Sequence, residues 1–397
     1  MSKIDELIQQ YCPNGVEYKT IKILAEVGTG SSNGNEAEED GTYPFFVRSQ
    51  IVKRKNTYEY DEEAVIIPGE GGIGDIFHYY KGKYALHQRV YRIHFLTPII
   101  NVRFAYYYMF AYFKPFILKK AVSATVTSIR KPMIEDFSIP VPPLPVQEEI
   151  VRILDKFTTL EAELEAELDC RKRQYEYYRS KLLSFNNLTG GGISQQVKWV
   201  KMSEIGTFTR GNGIQKKDFV ESGVGCIHYG QIHTYYGTFT YKTKSFITAE
   251  YARKLKKAAK GDLIIATTSE DIEGVCKAVA WLGDEEIAVS TDAYIFHHNQ
   301  NPKYISYLFQ TEMFREHKKK YATGTKVIRV SGDNMGKFYF PLPPLSEQER
   351  IVAILDRFDA LVNDISIGLP AEIEARRKQY EYYRNKLLAF PEHKTAA

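Results

Sequence analysis

With 397 residues, 44% of them hydrophobic and 26% charged, the chain is long enough for two domains with their own cores and has the composition of globular protein. No apolar run approaches the roughly 20 residues that span a bilayer, and the start MSKIDELIQQ lacks the apolar stretch of a signal peptide. The cysteines Cys12, Cys170, Cys226 and Cys276 stand singly, without the pairing of a zinc site or a disulfide framework, so a reduced cytoplasm, no metal and no membrane contact are the expectations.

The net charge of +4 does not by itself imply nucleic acid, but it is unevenly held. Residues 1–139 carry 17 basic and 16 acidic side chains, whereas residues 190–339 carry 21 and 15. The first segment reads as mixed α/β, with short strands and Gly-rich turns. AVIIPG (64–69) is strand-like, and Gly69-Glu70-Gly71-Gly72-Ile73-Gly74 after it matches G-x-G-x-x-G. A dinucleotide or S-adenosylmethionine site would need a helix next, with the anion at its N-terminus. The chain instead reads DIFHYYKGKYALHQRVYRIHF, which alternates like a hairpin, so the glycines are read as a turn between strands and no cofactor is expected. A helical stretch, Phe104–Lys119, and the polar loop Ser123–Arg130 complete this part.

Residues 139–160, IPVPPLPVQEEIVRILDKFTTL, open on an extended Pro-rich run and continue as a helix. Its apolar stripe is Ile150, Ile153, Phe157, Leu160, Leu164, Leu168, Tyr175, Tyr178 and Leu182, in steps of three and four apart from one of seven, with one stutter. Within it Glu-Ala-Glu-Leu occurs twice, at 161–168, and the stretch closes on RKRQYEYYRSKLLSF (171–185).

The second half repeats this plan. DLIIAT (262–267) corresponds to AVIIPG, and Ile227-His228-Tyr229-Gly230-Gln231-Ile232 to Phe46–Ile51. Arg253–Lys260 reads as a solvated helix face, His297-His298 as the end of a strand, and Lys303–Lys319 as one helical stretch. Asn301-Pro302-Lys303-Tyr304 is near the N-P-P-Y of adenine methyltransferases, but reads better as a helix start with Asn301 as N-cap and Pro302 at N1. FPLPPLSEQERIVAILDRFDAL (340–361) and RRKQYEYYRNKLLAF (376–390) then repeat the earlier runs, offset by 201 and 205 residues. Ser346 and Glu349 fit a capping box. The stripe here is Ile351, Ile354, Phe358, Leu361, Ile365, Tyr380, Tyr383 and Leu387, and Gly368 with Pro370 should interrupt the helix. At about 1.5 Å per residue, 40 residues of helix span roughly 60 Å.

The doubled P-x-P-P-L-x-x-Q-E-x-I runs, the doubled R-K/R-x-Q-Y-E-Y-Y-R endings and the Glu-Ala-Glu-Leu pair make the whole chain resemble the specificity subunits of type I restriction-modification systems. The resemblance implies two mixed α/β target recognition domains with pseudo-two-fold symmetry, joined by two long antiparallel coiled-coil helices. The first recognition domain would span 1–139 and its spacer helix 140–189. The second domain would span 190–339 and its helix 340–397. Each domain would read one half of a bipartite double-stranded DNA site, and the helices would set the spacer, which in such proteins lengthens with the number of four-residue repeats. Two methyltransferase subunits and two restriction/translocase subunits would assemble around a chain that performs no chemistry itself. The rival readings are a DNA methyltransferase with its own recognition domain, for which no cofactor motif is present, and a coiled-coil adaptor unrelated to DNA. The adaptor would not need two globular halves that differ so much beside helices that stay alike.

Sequence is read from base edges, and phosphate contacts supply affinity and register. The candidate readers in the first domain are Arg48, Ser49, Gln50, Lys53, Arg54, Lys55, His87, Gln88, Arg89, Ser123, Thr125, Thr127 and Arg130. Those in the second are His228, Tyr229, Gln231, His233, Thr267, Thr268, Ser269, Lys326 and Arg329. Each is also the residue type of an ordinary solvated loop.

Overall fold

The computed structural model describes residues 2–120, 128–185, 197–364 and 366–393. They form two compact units, one of Met1–Glu165 with Glu372–Ala397, the other of Ala166–Ala371.

The core of the first unit is a six-stranded sheet in the order Ala25–Thr29, Val90–Phe95, Tyr60–Pro68, His78–Leu86, Tyr43–Phe46, Lys53–Lys55. Tyr60–Pro68 lies in the middle, and its last five residues are buried. Their side chains alternate between two clusters, Val65 and Ile67 on one face, Ala64 and Ile66 on the other. The expected hairpin of residues 78–95 does not form. His78–Leu86 and Val90–Phe95 both pair with Tyr60–Pro68, Ala64 facing Tyr80 on one side and His94 on the other. Alternation identified both strands but not their partner, and the doubly buried strand takes the place between them. The helix Val102–Lys120 covers one face through Phe104, Met109, Phe113 and Ile117, all fully buried with Val65 and Ile67.

The second unit has a five-stranded sheet, Gly206–Arg210, Ala293–His298, Leu263–Ala266, Ala278–Trp281, Phe239–Thr240, and a four-stranded one, Ser245–Ile247, Val224–Ile227, Ile287–Val289, Lys257–Ala258. Three local expectations change here. The stretch 303–319 is two helices, Pro302–Leu308 and Glu312–Tyr321, because Thr311 caps the second by accepting from the Phe314 amide. Asn301 caps the first as expected, its side chain accepting from Lys303 and Tyr304. Arg253–Lys260 is not a helix face: the helix Ala249–Ala252 ends at once, and Lys257–Ala258 pairs as a strand with Ile287–Val289, burying Ala258. Ser346 is not an N-cap, since the helix Leu345–Asn363 already includes Leu345 and Pro344 precedes it without a side-chain cap.

The repeated motif has the same structural work in both units. Gln147 is fully buried, its Oε1 accepting from the Asn101 amide at 2.7 Å and its Nε2 donating to the Ile99 and Pro142 carbonyls at 2.8 and 2.6 Å. Gln348, equally buried, accepts from the Asn301 amide at 3.0 Å and donates to the Pro343 carbonyl and Gln300 Oε1, both at 2.9 Å. Asp155 accepts from Arg103 and Tyr107, as Asp356 accepts from Lys303 and Tyr307. The motif therefore fastens the Pro-rich run and the long helix to the globular part preceding it.

The helix Leu144–Ser184 is continuous over 41 residues. In the first unit Phe157 packs on Tyr380 and Tyr383, and Arg377 pairs with Glu161 and Glu165. Contacts that rise along one helix fall along the other, so the two run antiparallel there. In the second unit Phe358 stacks on Tyr175 and Tyr178 with centroids 6.2 and 5.5 Å apart, the same contact between the repeat-related residues. Ile150, Tyr175, Ile351 and Leu387 of the expected stripe are buried, and Ile153, Leu168, Leu182 and Phe358 pack partly buried against the cores. Leu154, Leu183, Leu355 and Val362 are buried too, because the helices also pack on their globular parts and need a wider apolar face. Leu361, Tyr178 and Tyr383 stay 37% exposed, and Ile365 lies outside the described residues. The expected interruption occurs between Asn363 and Leu369, where the next helix, Leu369–Leu388, starts. A Cβ on Gly368 would stand 2.5 Å from the Ala360 carbonyl oxygen, so only glycine permits this close turn. Among the described residues no helix is long and apolar enough to cross a membrane.

Candidate nucleic-acid interface

In the first unit the glycine run connects Tyr60–Pro68 to its antiparallel neighbour His78–Leu86, which accounts for it as a turn between strands. Gly71, Gly72 and Gly74 adopt φ of 75°, 83° and 70°, which favours glycine. This turn gathers the candidate readers. Gly69 N–H donates to the Arg89 carbonyl, and the Ile129 amide to the Gly69 carbonyl, so 87–89 and 128–130 abut it. Arg48, Ser49, Lys53, Gly71 and His87 line one cleft of about 400 Å³.

Glu70, a turn residue that no local sequence signal marks as functional, organises two of the exposed arginines of this surface, Arg48 and Arg89. Its Oε2 accepts from Arg89 Nη1 at 2.7 Å and Arg48 Nη1 at 3.3 Å. The Arg89 hydrogen bond, with the Arg48 pairing, holds its carboxyl below the usual range. Burial, and then the charges of Arg48 and Arg89, hold His87 below its ordinary value, and its Nδ1 accepts from the Arg89 amide. A neutral imidazole beside two guanidinium groups suits base or phosphate oxygens.

The other first-domain candidates divide. Gln50 is exposed and lines a separate cleft with Tyr79, Tyr106 and Arg103. Ser49 Oγ donates to the Ile51 carbonyl, Lys53 Nζ reaches the Gly34 carbonyl at 3.5 Å, and Gln88 Nε2 donates to Asn33. Arg130 is exposed at the start of the helix Lys131–Glu135. Two basic residues are engaged within the fold: Arg54 donates to the Gly41 and Thr42 carbonyls, and Lys55 Nζ to Ser32 Oγ at 2.8 Å and Glu36 at 2.6 Å. Ser123, Thr125 and Thr127 lie outside the described residues.

In the second unit the candidates lie on the helix Tyr229–Thr234 and a two-stranded ribbon, Thr268–Ser269 against Ile328–Arg329. His228 caps the helix, its Nδ1 accepting from the Gly230 amide at 3.2 Å, and its ring packs 4.6 Å from Tyr229. Gln231 completes the cap by accepting from the His228 amide and also donates to Ser245 Oγ. His233 Nε2 meets the Thr268 carbonyl at 3.0 Å, which ties helix to ribbon. Thr267 and Thr268 are buried, so they place the ribbon, while Lys326 and Arg329 are exposed and Ser269 partly so. Burial lowers the pKa of both His228 and His233.

Residues 13–169 and 195–375 match the model of the type I restriction modification DNA specificity domain. A specificity subunit of an Escherichia coli type I restriction enzyme is 37% identical over 260 residues, 64% of this chain and 62% of that relative's length. A putative type I specificity subunit of Haemophilus influenzae is 29% identical over 394 residues, 94% of this chain and 96% of that one. The crystal structure of the type I S subunit from M. genitalium matches in fold with a TM-score of 0.59 at 15% identity, covering 94% of this chain and 96% of that one. A second chain, from a structure of type I restriction-modification complex assembly, gives 0.58 at 12% identity, covering 95% and 98%. The doubled family match, laid over two units with sheets of mixed topology and two repeat-bearing helical segments, shows that the chain belongs to the type I restriction-modification specificity subunits, the DNA-recognition components of those systems and not their catalytic ones.

Proposed function

We propose that the chain reads a bipartite DNA site, with residues 1–139 and 190–339 as the two recognition domains and the helical segments 140–189 and 340–397 setting the distance between half-sites. The observation that carries this reading is the duplicated frame. In both units a buried glutamine, an aspartate and a Phe–Tyr stack recur at repeat-related positions, while the loops beside them differ in residue and shape. Alike frames with unlike loops suit two readers of different sequence. The bases would be read from Arg48, Gln50, Arg89 and Arg130 in one domain, and from Tyr229, Ser269, Lys326 and Arg329 in the other. Two methyltransferase subunits, and two restriction/translocase subunits for cleavage, would assemble on the chain in the cytoplasm.

Exchanging residues 15–139 for the matching segment of a relative, followed by methylome sequencing of cells that also express the methyltransferase subunit, tests the proposal. One half-site should change and the other should persist. A simultaneous change of both half-sites would refute separate readers.

A further inference from the structure

We propose that the second unit carries an oxyanion site distinct from the base-reading loops, in which Arg179, Lys277 and Lys318 bind a phosphate-type group, either as a free anion or on a DNA backbone. The three line one cavity of about 550 Å³ beside the helix Glu312–Tyr321 and the end of Leu345–Asn363. That is ample room for a phosphate with a substituent.

The charges around this cavity do not cancel. Its carboxylates are accounted for: Arg315 pairs with Glu273 at 2.5 Å and Glu312 at 3.1 Å, and Asp359 accepts from Asn363 at 2.9 Å and Tyr175 at 3.4 Å. Burial raises the Asp359 pKa, against the hydrogen bonds from Asn363 and Tyr175 and the charge of Arg179. Three cations have no such match. Lys318 is only 5% exposed, and among the described residues its Nζ reaches a single acceptor, the Glu273 carbonyl, at 3.4 Å. Lys277 Nζ reaches the His233 carbonyl at 3.3 Å. Arg179 donates from Nη1 to Gln310, while its Nε is buried with no hydrogen-bond partner among the described residues. No carboxylate lies within ion-pair distance of any of the three among the described residues.

An ammonium group withdrawn from water is costly, and burial holds both lysines below their ordinary pKa, Lys318 in spite of the charges of Glu273 and Asp271 beyond ion-pair distance. An entering oxyanion would relieve that cost for both lysines, and Arg179, whose guanidinium packs over the Tyr175 ring, adds positive charge to the same wall. The site does not depend on which loops read bases, so its failure would leave the half-site assignment standing.

The probe is inorganic phosphate, added to the full chain at ionic strength matched with chloride and followed by calorimetry and thermal unfolding. Phosphate should bind and raise the melting temperature, and Lys318→Met and Lys277→Met should each weaken binding at least tenfold. Should Lys318→Met fold poorly, Lys277→Met carries the test, since that side chain is partly exposed. A salt titration of duplex binding by the complex with its methyltransferase subunit separates the two sources. If the ligand is backbone phosphate, either variant lowers the slope of log K against log salt by about one unit. If it is a free anion, the slope stays while phosphate binding falls. Phosphate binding no stronger than that of chloride, or undiminished in both variants, with an unchanged slope, would overturn the proposal.

Discussion

A third Glu-Ala-Glu-Leu placed after Leu168 tests the helix as a ruler. The two existing copies lie within the unbroken helix Leu144–Ser184, with Leu164 and Leu168 half-buried. Four added residues lengthen the helix by about 6 Å and turn its C-terminal part by about 40° beyond a full turn. One base pair adds about 3.4 Å and, at roughly 10.5 pairs per turn, about 34°. The length allows fewer than two added pairs, and the rotation matches one. The inserted leucine stays on the seam because a step of four is tolerated there. The Phe157–Tyr383 stack lies in the first unit and the Tyr178–Phe358 stack in the second, and both should persist in the variant. In cells expressing the variant with the methyltransferase subunit, methylome sequencing should show both half-sites unchanged and the spacer longer by about one base pair. Insertions of two or three residues turn the seam by about 200° or 300° and should abolish modification. An active third-copy variant with the original spacer would refute the ruler.

Further outcomes are expected from single substitutions and from the isolated chain. Arg48→Ala or Gln50→Ala should cost about 1–3 kcal/mol per lost base contact and relax the first half-site, measured by competition among duplexes; unchanged affinity and specificity would return both to the solvated loop. Glu70→Gln should loosen Arg48 and Arg89 together, so its effect on half-site choice should resemble that of either arginine variant and not add to it, read by a double-mutant cycle. Gln348→Ala strips three hydrogen bonds from a fully buried position and should destabilise by about 2–4 kcal/mol, with hydrogen exchange rising first around Pro343 and Asn301; Arg377→Ala, at an exposed pair of salt bridges, should cost less than about 1 kcal/mol. The purified chain alone should show no methyl transfer, DNA cleavage or ATP hydrolysis, and methyl transfer should appear only on adding a methyltransferase subunit.

The helical segments were legible because their repeat is nearly literal and their apolar spacing is strict. The glycine turn and the Asn301 cap were legible because each depends on a few local residues. The misread elements depend on distant partners. Nothing within residues 78–95 reveals that Tyr60–Pro68 comes between the two strands, and nothing near Ala258 announces its pairing with Ile287. Gln147 and Gln348 stood in the repeated motif, yet a polar side chain in a polar run suggests the surface. Their burial follows only from Asn101 and Asn301, whose kinship is masked by one residue of drift between the copies. Among the candidate readers, Arg54 and Thr267 show why residue type alone is a weak guide: both have the chemistry to meet DNA and spend it on backbone carbonyls.

The division of the chain into units bears on the order in which it can fold during synthesis. The second unit is one uninterrupted stretch, Ala166–Ala371, whereas the first needs Glu372–Ala397 as well as Met1–Glu165. Leu387, Leu388 and Phe390 fill the core beneath the first sheet, and the Val16 amide donates to the Pro391 carbonyl. A ribosome adding about 5–20 residues per second would release the second unit complete while the first waited roughly 10–40 s for its last pieces. The half made first is therefore the half finished last, and for that interval its exposed apolar floor is open to chaperones. A nonsense codon near residue 372 would spare the second unit and cripple the first.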